Sequence, residues 1–337
     1  MGEFKSRPTT LREVAEKAGV SMATASRALA GGSASQRTRE RVREAAKELG
    51  FVPNAVARHL STGRTDTIAV VMAEQPQFIF RDQFLSMLVG QLAVSLNDLG
   101  LLGILVLADP QDPEGSDSFL RRTGADGVIM ASYHPSEVLS KSIRSLNVPV
   151  VFVGRPPSEL SYLPYVDVDN YRGGYDAAMR LIDIGRRNIA QIAGPAEMTA
   201  SSDRTEGFDA ACEAQHLTPV GTFPGKFEVE HGQDSMRALL EAHPEVDGVF
   251  AHSDRIAAGA IQTLSELGRK VPDDVAIVGF DDFESATAVN PKLTTMAQPL
   301  NKVARAAAEM MRGFLDTGEY ELSKQLFRVP LVVRDSA

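Results

Sequence analysis

The sequence predicts an α/β protein with a small N-terminal helix-turn-helix head and a two-lobed body built on parallel sheets. Three observations predict it. Residues 10–29, TLREVAEKAGVSMATASRAL, read as a helix, a tight Gly-Val turn and a second short helix. From Thr67 onward, apolar runs of strand length alternate with amphipathic stretches, the pattern of parallel sheets covered on both faces. The charge divides at the same place: Met1 to Thr65 carries twelve Lys or Arg against six Glu, about +6, in a chain of formal charge −9, which leaves about −15 for the rest.

The head follows from its caps. Thr10 is placed to cap Leu11 to Ala18, and Glu13 completes a capping box. Leu11, Val14, Ala15 and Ala18 then share one apolar face. Gly19 ends this helix because it tolerates a positive φ, and Ser21 caps the next. At about 100° per residue, Ser26, Ala23 and Arg27 fall on the same side as Met22, while Ser21, Ala25 and Ala28 fall opposite. One side is small and packable; the other faces outward. A helix of this size fits the major groove of a DNA duplex, where Arg27 offers a bidentate fork to guanine or a brace for phosphate. Met22 and Ala23 offer apolar contact, for instance to a thymine methyl. A third helix, Thr38 to Leu49, turns Val42, Ala45, Ala46 and Leu49 inward, and Phe51 closes a three-helix core. The basic head would attract phosphate and the acidic body would keep duplex off other surfaces.

Asn54 to Leu60, NAVARHL, is too short for a stable isolated helix, so its ordering needs a partner. Paired with a second copy over DNA, Leu60 would wedge into the minor groove and bend the site; a plain linker is the other reading.

In the body, strands are expected at Thr67–Ala73, Leu102–Ala108, Gly127–Ser132, Pro149–Gly154, Ile189–Gly194, Gly248–Ser253 and Val275–Phe280. Helices lie between them, among them Asp82–Leu99, Asn170–Ile184 and Asp254–Leu267. So many units favour two similar lobes over one sheet. Ligands of such sheets sit at the carboxyl ends of the strands. The residues there are Glu74, Arg155, Ser253, Asp254, Asp281 and Asp282, with Arg204 at a helix start and Gln298 after LTTMA. Arginines, carboxylates and an amide suit a polyhydroxylated ligand, and Phe78, Phe80 and Phe227 could face a sugar ring. Asp254 reads equally well as the cap of its helix.

Composition narrows the classes. A length of 337 residues suggests about two domains, and an apolar fraction of 43% suffices for their cores. Cys212 is the only cysteine, which excludes an intrachain disulfide or cysteine cluster. The longest apolar run, Leu99 to Ala108, is glycine-interrupted and too short to span a bilayer, and no signal-peptide stretch opens the chain. A soluble, cytoplasmic protein with no membrane association is expected. No GxSxG elbow, GxxxxGK[ST] loop or GxGxxG turn occurs, and the six histidines lack metal-ligand spacing. Asp281 and Asp282, adjacent on an extended strand, would point to opposite faces. No enzyme activity, metal or cofactor is therefore expected.

TLREVAEKAGVSMATASRAL followed by TRERVREAAKELGFVPNAVARHL resembles the DNA-binding head and hinge of the LacI/GalR family of bacterial transcription regulators. VDVDNYRGGYDAAMRLIDIGRRNIAQIAGP, SSDRTEGF, VPDDVAIVGFDD and LTTMAQP extend the resemblance through the body. It implies a periplasmic-binding-protein-like body. It also implies DNA contacts from Thr10, Ser21, Met22, Ala23, Thr24, Ser26 and Arg27, and from Asn54, Ala57, Arg58 and Leu60, with Leu60 as minor-groove lever. Ala25 stands where many members have Val, a small loss of packing. Arg204, Phe227, Ser253, Asp254, Asp281 and Gln298 match positions lining the effector cleft of sugar-responding relatives. Gly154 stands where some members carry Asp, which suggests that Arg155 reaches the ligand instead.

The expected organisation is a head and hinge over 8–65 and an effector-binding and dimerisation body over 66–337. Lobe 1 takes about 66–165 and 296–325, and lobe 2 about 166–295 and 326–337. Leu300 to Asp316 should return to lobe 1 and a closing strand, Leu326 to Val333, to lobe 2. The expected function is a homodimeric repressor on a palindromic operator, controlled by a mono- or oligosaccharide. The last residues, 333–337, carry no heptad pattern, which favours a dimer over a coiled-coil tetramer. A purine, nucleoside or protein co-effector with the same DNA mechanism remains open, as does a sugar-binding receptor without regulation.

Overall fold

The computed structural model describes residues 9–29, 33–51, 64–108, 123–134 and 136–337. The chain divides into two compact units, Met1–Thr65 and Asp66–Ala337. Asn54, Ala57, Arg58 and Leu60 lie outside the described residues.

The first unit is a three-helix domain: α1 (Leu11–Lys17), α2 (Met22–Leu29) and α3 (Gln36–Leu49). Thr10 and Glu13 form the capping box of α1, with the Glu13 carboxylate accepting from the Thr10 backbone N–H at 2.6 Å. Gly19, at φ +63°, releases the chain into the turn. Ser21 Oγ accepts from Thr24 N at 3.2 Å to start α2. The α3 helix begins two residues before the expected Thr38, because Ser35 caps it through the Thr38 N–H. Val14, Ala15, Ala25, Ala28, Val42, Ala45 and Ala46 form the core, with Leu11, Leu49 and Phe51 packed at its edge. Arg41 ties α3 to α1 by donating to the Ala18 carbonyl at 2.8 Å.

The second unit holds two six-stranded sheets. Lobe 1 contains β1 (Thr67–Met72), α4 (Pro76–Arg81), α5 (Gln83–Asp98), β2 (Leu102–Leu107), β3 (Gly127–Ser132), α6 (Glu137–Arg144), β4 (Val150–Val153) and β5 (Tyr165–Val168). Lobe 2 follows with α7 (Asn170–Asp183), β6 (Ile189–Ala193), α8 (Thr199–Ala214), β7 (Gly221–Pro224), α9 (Val229–Ala242), β8 (Gly248–Ala251), α10 (Asp254–Glu266), β9 (Ala276–Asp281), α11 (Glu284–Ala288) and β10 (Thr294–Ala297). The chain then returns through α12 (Leu300–Thr317) and β11 (Lys324–Phe327) to lobe 1, and ends with β12 (Leu331–Val332) in lobe 2. The strand orders are β11-β5-β4-β3-β1-β2 and β12-β10-β9-β8-β6-β7. All neighbours pair in parallel except β12, which runs antiparallel to β10.

The closing strand expected over Leu326–Val333 is two strands in two sheets. Leu326 and Phe327 pair with Asp167 and Val168 of β5, whereas Leu331 and Val332 pair with β10. The other crossings fall between β5 and α7 and between β10 and α12, two or three residues beyond the positions read from sequence. Each of these strands runs to the cleft before the chain changes lobe, so the crossings lie at strand ends.

Candidate functional site

A cleft of about 530 Å³ opens between the carboxyl ends of the two sheets. That volume lies in the range of small-molecule sites. Of the residues expected there, Glu74, Phe78, Arg155, Arg204, Phe227, Ser253, Asp281 and Gln298 line it. Two do not. Phe80 is 67% exposed on the far side of α4. Asp254 lies beneath the floor, where its carboxylate accepts from Thr295 Oγ1 at 2.6 Å and from Phe283 N at 3.1 Å. Nor does Asp254 cap its helix: Ser253 Oγ does so, accepting from Ile256 N at 3.2 Å.

Arg204 is the charged centre of the lobe 2 wall. It is buried, its Nε donates to Asn170 Oδ1 at 2.9 Å, its Nη1 donates to the His252 carbonyl, and its guanidinium lies 3.5 Å from the Phe280 ring centroid. Burial lowers its pKa to about 10, against the raising effect of Asp281, Asp167 and Asp254, so it stays a cation at neutral pH. Nη2 has no hydrogen-bond partner among the described residues, and Arg204 lines the cleft. Asp281 closes β9 at φ +127°, a backbone position that L-residues rarely adopt. Its Oδ1 accepts from Gln298 Nε2 at 2.7 Å, while burial and the neighbouring Asp254 hold its pKa well above the ordinary carboxylate value. The chain bends there, so the next carboxylate, Asp282, turns away to pair with Arg334.

Lobe 1 supplies Asp167, buried at the end of β5. It accepts from the backbone N–H groups of Val168 and Arg155 at 2.7 and 2.9 Å, and burial outweighs them, pushing its pKa up to about 6. Glu74, at the end of β1, accepts from Ser132 Oγ at 2.9 Å and meets His134 Nε2 at 2.7 Å.

Polar contacts join the lobes across the cleft. Asp82, which caps α5, pairs with Arg255 of α10 at 3.0 Å. The Arg155 guanidinium pairs with Asp203, Thr199 Oγ1 donates to the Arg155 carbonyl at 2.7 Å, and His134 Nδ1 stands 3.6 Å from Glu197. Arg155 is thus spent largely on lobe 2. Sequence reasoning missed His134, Asp82, Arg255, Glu197 and Asn170. His134 lies two residues past β3, so the strand-end rule could have found it; the partnership of Asp82 with Arg255 has no sequence signal.

In the head, α2 presents Met22, Ala23, Ser26 and Arg27 to solvent and buries Ala25 and Ala28. Thr10, Ser21 and Thr24 spend their hydroxyls on caps: Thr10 Oγ1 donates to Glu13, and the Ser21 and Thr24 hydroxyls lie 2.9 Å apart. Among the described residues there is no cluster of His, Cys, Asp or Glu suited to a metal ion.

A helix-turn-helix domain followed by two lobes around a cleft lined by charged and aromatic side chains is the architecture of a DNA-binding regulator with a ligand-binding type of body. The family model described as bacterial regulatory proteins, lacI family, matches residues 10–54, and that of the periplasmic binding protein-like domain matches residues 178–337. The chain is 38% identical to the HTH-type transcriptional regulator CelR of Thermobifida fusca over 99% of both chains. It is 33% identical to the ribose operon repressor of Halalkalibacterium halodurans over 94% of this chain and 95% of that one. A solved transcriptional regulator CelR-cellobiose complex superposes with a TM-score of 0.77 at 36% identity, covering 98% of this chain and 100% of that one. The chain belongs to the LacI family and is a transcriptional regulator.

Proposed function

We propose that the protein is a repressor that binds a two-fold symmetric operator as a homodimer in the cytoplasm and is controlled by a sugar bound between its lobes. The observation that carries the sugar reading is the composition of the cleft. Open donors and acceptors at Arg204 and Asp281 stand beside Phe78 and Phe227, a combination that satisfies hydroxyls and the apolar face of a pyranose together. The cellobiose complex of a relative supports the same chemistry.

The outward set Met22, Ala23, Ser26 and Arg27 is the reading surface. Phosphate contacts position such a head and base contacts specify its site. The dimer surface is the outer face of α5 with edge strand β2. There Met87, Val94, Leu102, Leu105 and Leu107 leave apolar area in water, on a lobe whose β1 and β3 are almost wholly buried. Sugar binding holds the lobes in one relative placement, and operator affinity follows if the effector prefers that state by a few kcal/mol.

Operator titration of the full chain, with and without a panel of sugars and nucleosides, tests this reading. Arg27→Ala is expected to cost about 1–3 kcal/mol of specific binding and to relax preference at one base step. An unchanged titration would remove Arg27 from the reading surface. A nucleoside that releases the operator where every sugar fails would overturn the sugar reading.

A further inference from the structure

Building on the sugar reading, we propose that the effector has at least two linked rings, and that Glu74 and His134 form a second subsite at the end of the cleft remote from Arg204.

The strand order sets the distance. Arg204 is held by Asn170, two residues past β5, whereas His134 lies two residues past β3 and Glu74 two past β1. In the sheet β5 is two steps from β3 and three from β1, so at about 4.8 Å per step the strand ends that carry these groups stand roughly 10–14 Å apart. A single pyranose is little wider than one such step. One ring can engage Arg204 or Glu74, and a linked pair can engage both.

The remote end is built to hold hydroxyls. The Glu74 side chain is only 13% exposed, and both its hydrogen-bonded neighbours, Ser132 and His134, use Oε1. Oε2 has no partner among the described residues and is the acceptor that Glu74 offers to the cleft. His134 fixes the carboxylate from one side and meets Glu197 of lobe 2 on the other, so the subsite is complete only when the lobes are together. Phe78, on the helix that follows β1, supplies an apolar face beside it.

Calorimetric titration of the full chain with glucose, cellobiose and cellotriose is the test. Cellobiose is expected to bind at least tenfold more tightly than glucose. Glu74→Gln and His134→Asn should each weaken cellobiose about tenfold, the effect of a lost hydrogen bond to a charged group, and lower the ratio of cellobiose to glucose affinity at least fivefold. Arg204→Lys should weaken both sugars. Equal losses for the two sugars in Glu74→Gln, or wild-type protein that binds glucose as tightly as cellobiose, would overturn the second subsite and leave the sugar reading standing. If the sugar panel yields no ligand of any length, both fall together.

Discussion

The two lobes share a strand order, yet their helices are packed differently. In lobe 2 a Cβ on Gly174 of α7 would overlap the carbonyl of Arg204 on α8, and one on Gly207 of α8 would overlap the carbonyl of Tyr171. The pair α9 and α10 repeats the arrangement, with Gly232 against Ile256 and Gly259 against Val229. In lobe 1 a Cβ on Gly90 of α5 or Gly313 of α12 would meet nothing within 4 Å. Lobe 2 therefore locks its helices backbone to backbone, and the lock includes the main chain of Arg204 itself. In lobe 1 these two glycines face solvent, the close glycine contacts are to side chains, as of Gly127 on Met311, and the apolar face of α5 and β2 is exposed. The difference fits the proposed division of tasks, in which lobe 2 fixes the Arg204 charge and lobe 1 offers the surface for a second copy.

The largest effect should come from the anchor. Arg204→Ala leaves Asp167, Asp254 and Asp281 without their central cation and strips the partners from Asn170 Oδ1 and the His252 carbonyl. Effector affinity should fall more than a hundredfold, and the body should lose about 3–5 kcal/mol of stability, as when one member of a buried charge network is removed. Calorimetry and urea unfolding read the two effects; affinity kept within a few-fold would break the assignment of the anchor to lobe 2. Next is Gly207→Ala, which forces α7 and α8 apart and should cost about 1–3 kcal/mol in urea unfolding. If it costs nothing, the helices of lobe 2 are not locked.

Much of this was legible beforehand, and the losses have identifiable causes. The capping box at Thr10, the cap at Ser21 and the inward Ala25 and Ala28 follow from local rules, and the structure repeats them. Strands β4 and β8 are as short as β5, β7 and β10, but VVFV and GVFA are unbroken by polar residues, whereas Asp167 in β5, Thr222 and Pro224 in β7 and Thr294 and Thr295 in β10 interrupt the apolar run that marks a buried strand. Phe80 shows a rule left unused: two residues after Phe78 it lies about 200° round a helix, so both cannot face the cleft. Asp254 stands where a cap is expected, but its neighbour Ser253 does the capping, and nothing in sequence foretells Thr295 as its partner. The pairs His134–Glu197 and Asp82–Arg255 join residues far apart in the chain, brought together only by the crossings between lobes.

A smaller effect tests whether the lobes close on a proton. The hydrogen bond to Glu74 raises the pKa of His134 above its ordinary 6.5, burial opposes it, and Glu197 across the cleft adds to the rise. A histidine whose pKa is raised on folding contributes stability that is full below 6.5 and is lost as pH rises through the raised value. The unfolding free energy of the wild type, read by urea unfolding at several pH values, should therefore exceed that of His134→Asn most below pH 6.5, with the gap shrinking toward pH 8. A gap independent of pH would mean that the imidazole acts by packing, and that its two carboxylate neighbours do not stabilise a charge.

The smallest expected effect has the opposite sign. Gly313 lies inside α12, exposed, with open space where its Cβ would go. Gly313→Ala should therefore gain the helix-propensity difference, about 0.5–1 kcal/mol, partly by reducing the freedom of the unfolded chain. The same exchange at Gly207 is expected to destabilise. Urea unfolding of the two variants side by side measures the contrast directly, since their chemistry is identical and only the neighbouring backbone differs. Were both exchanges to shift stability in the same direction, the close approach of α8 to the Tyr171 carbonyl would not constrain Gly207, and lobe 2 would not be locked there.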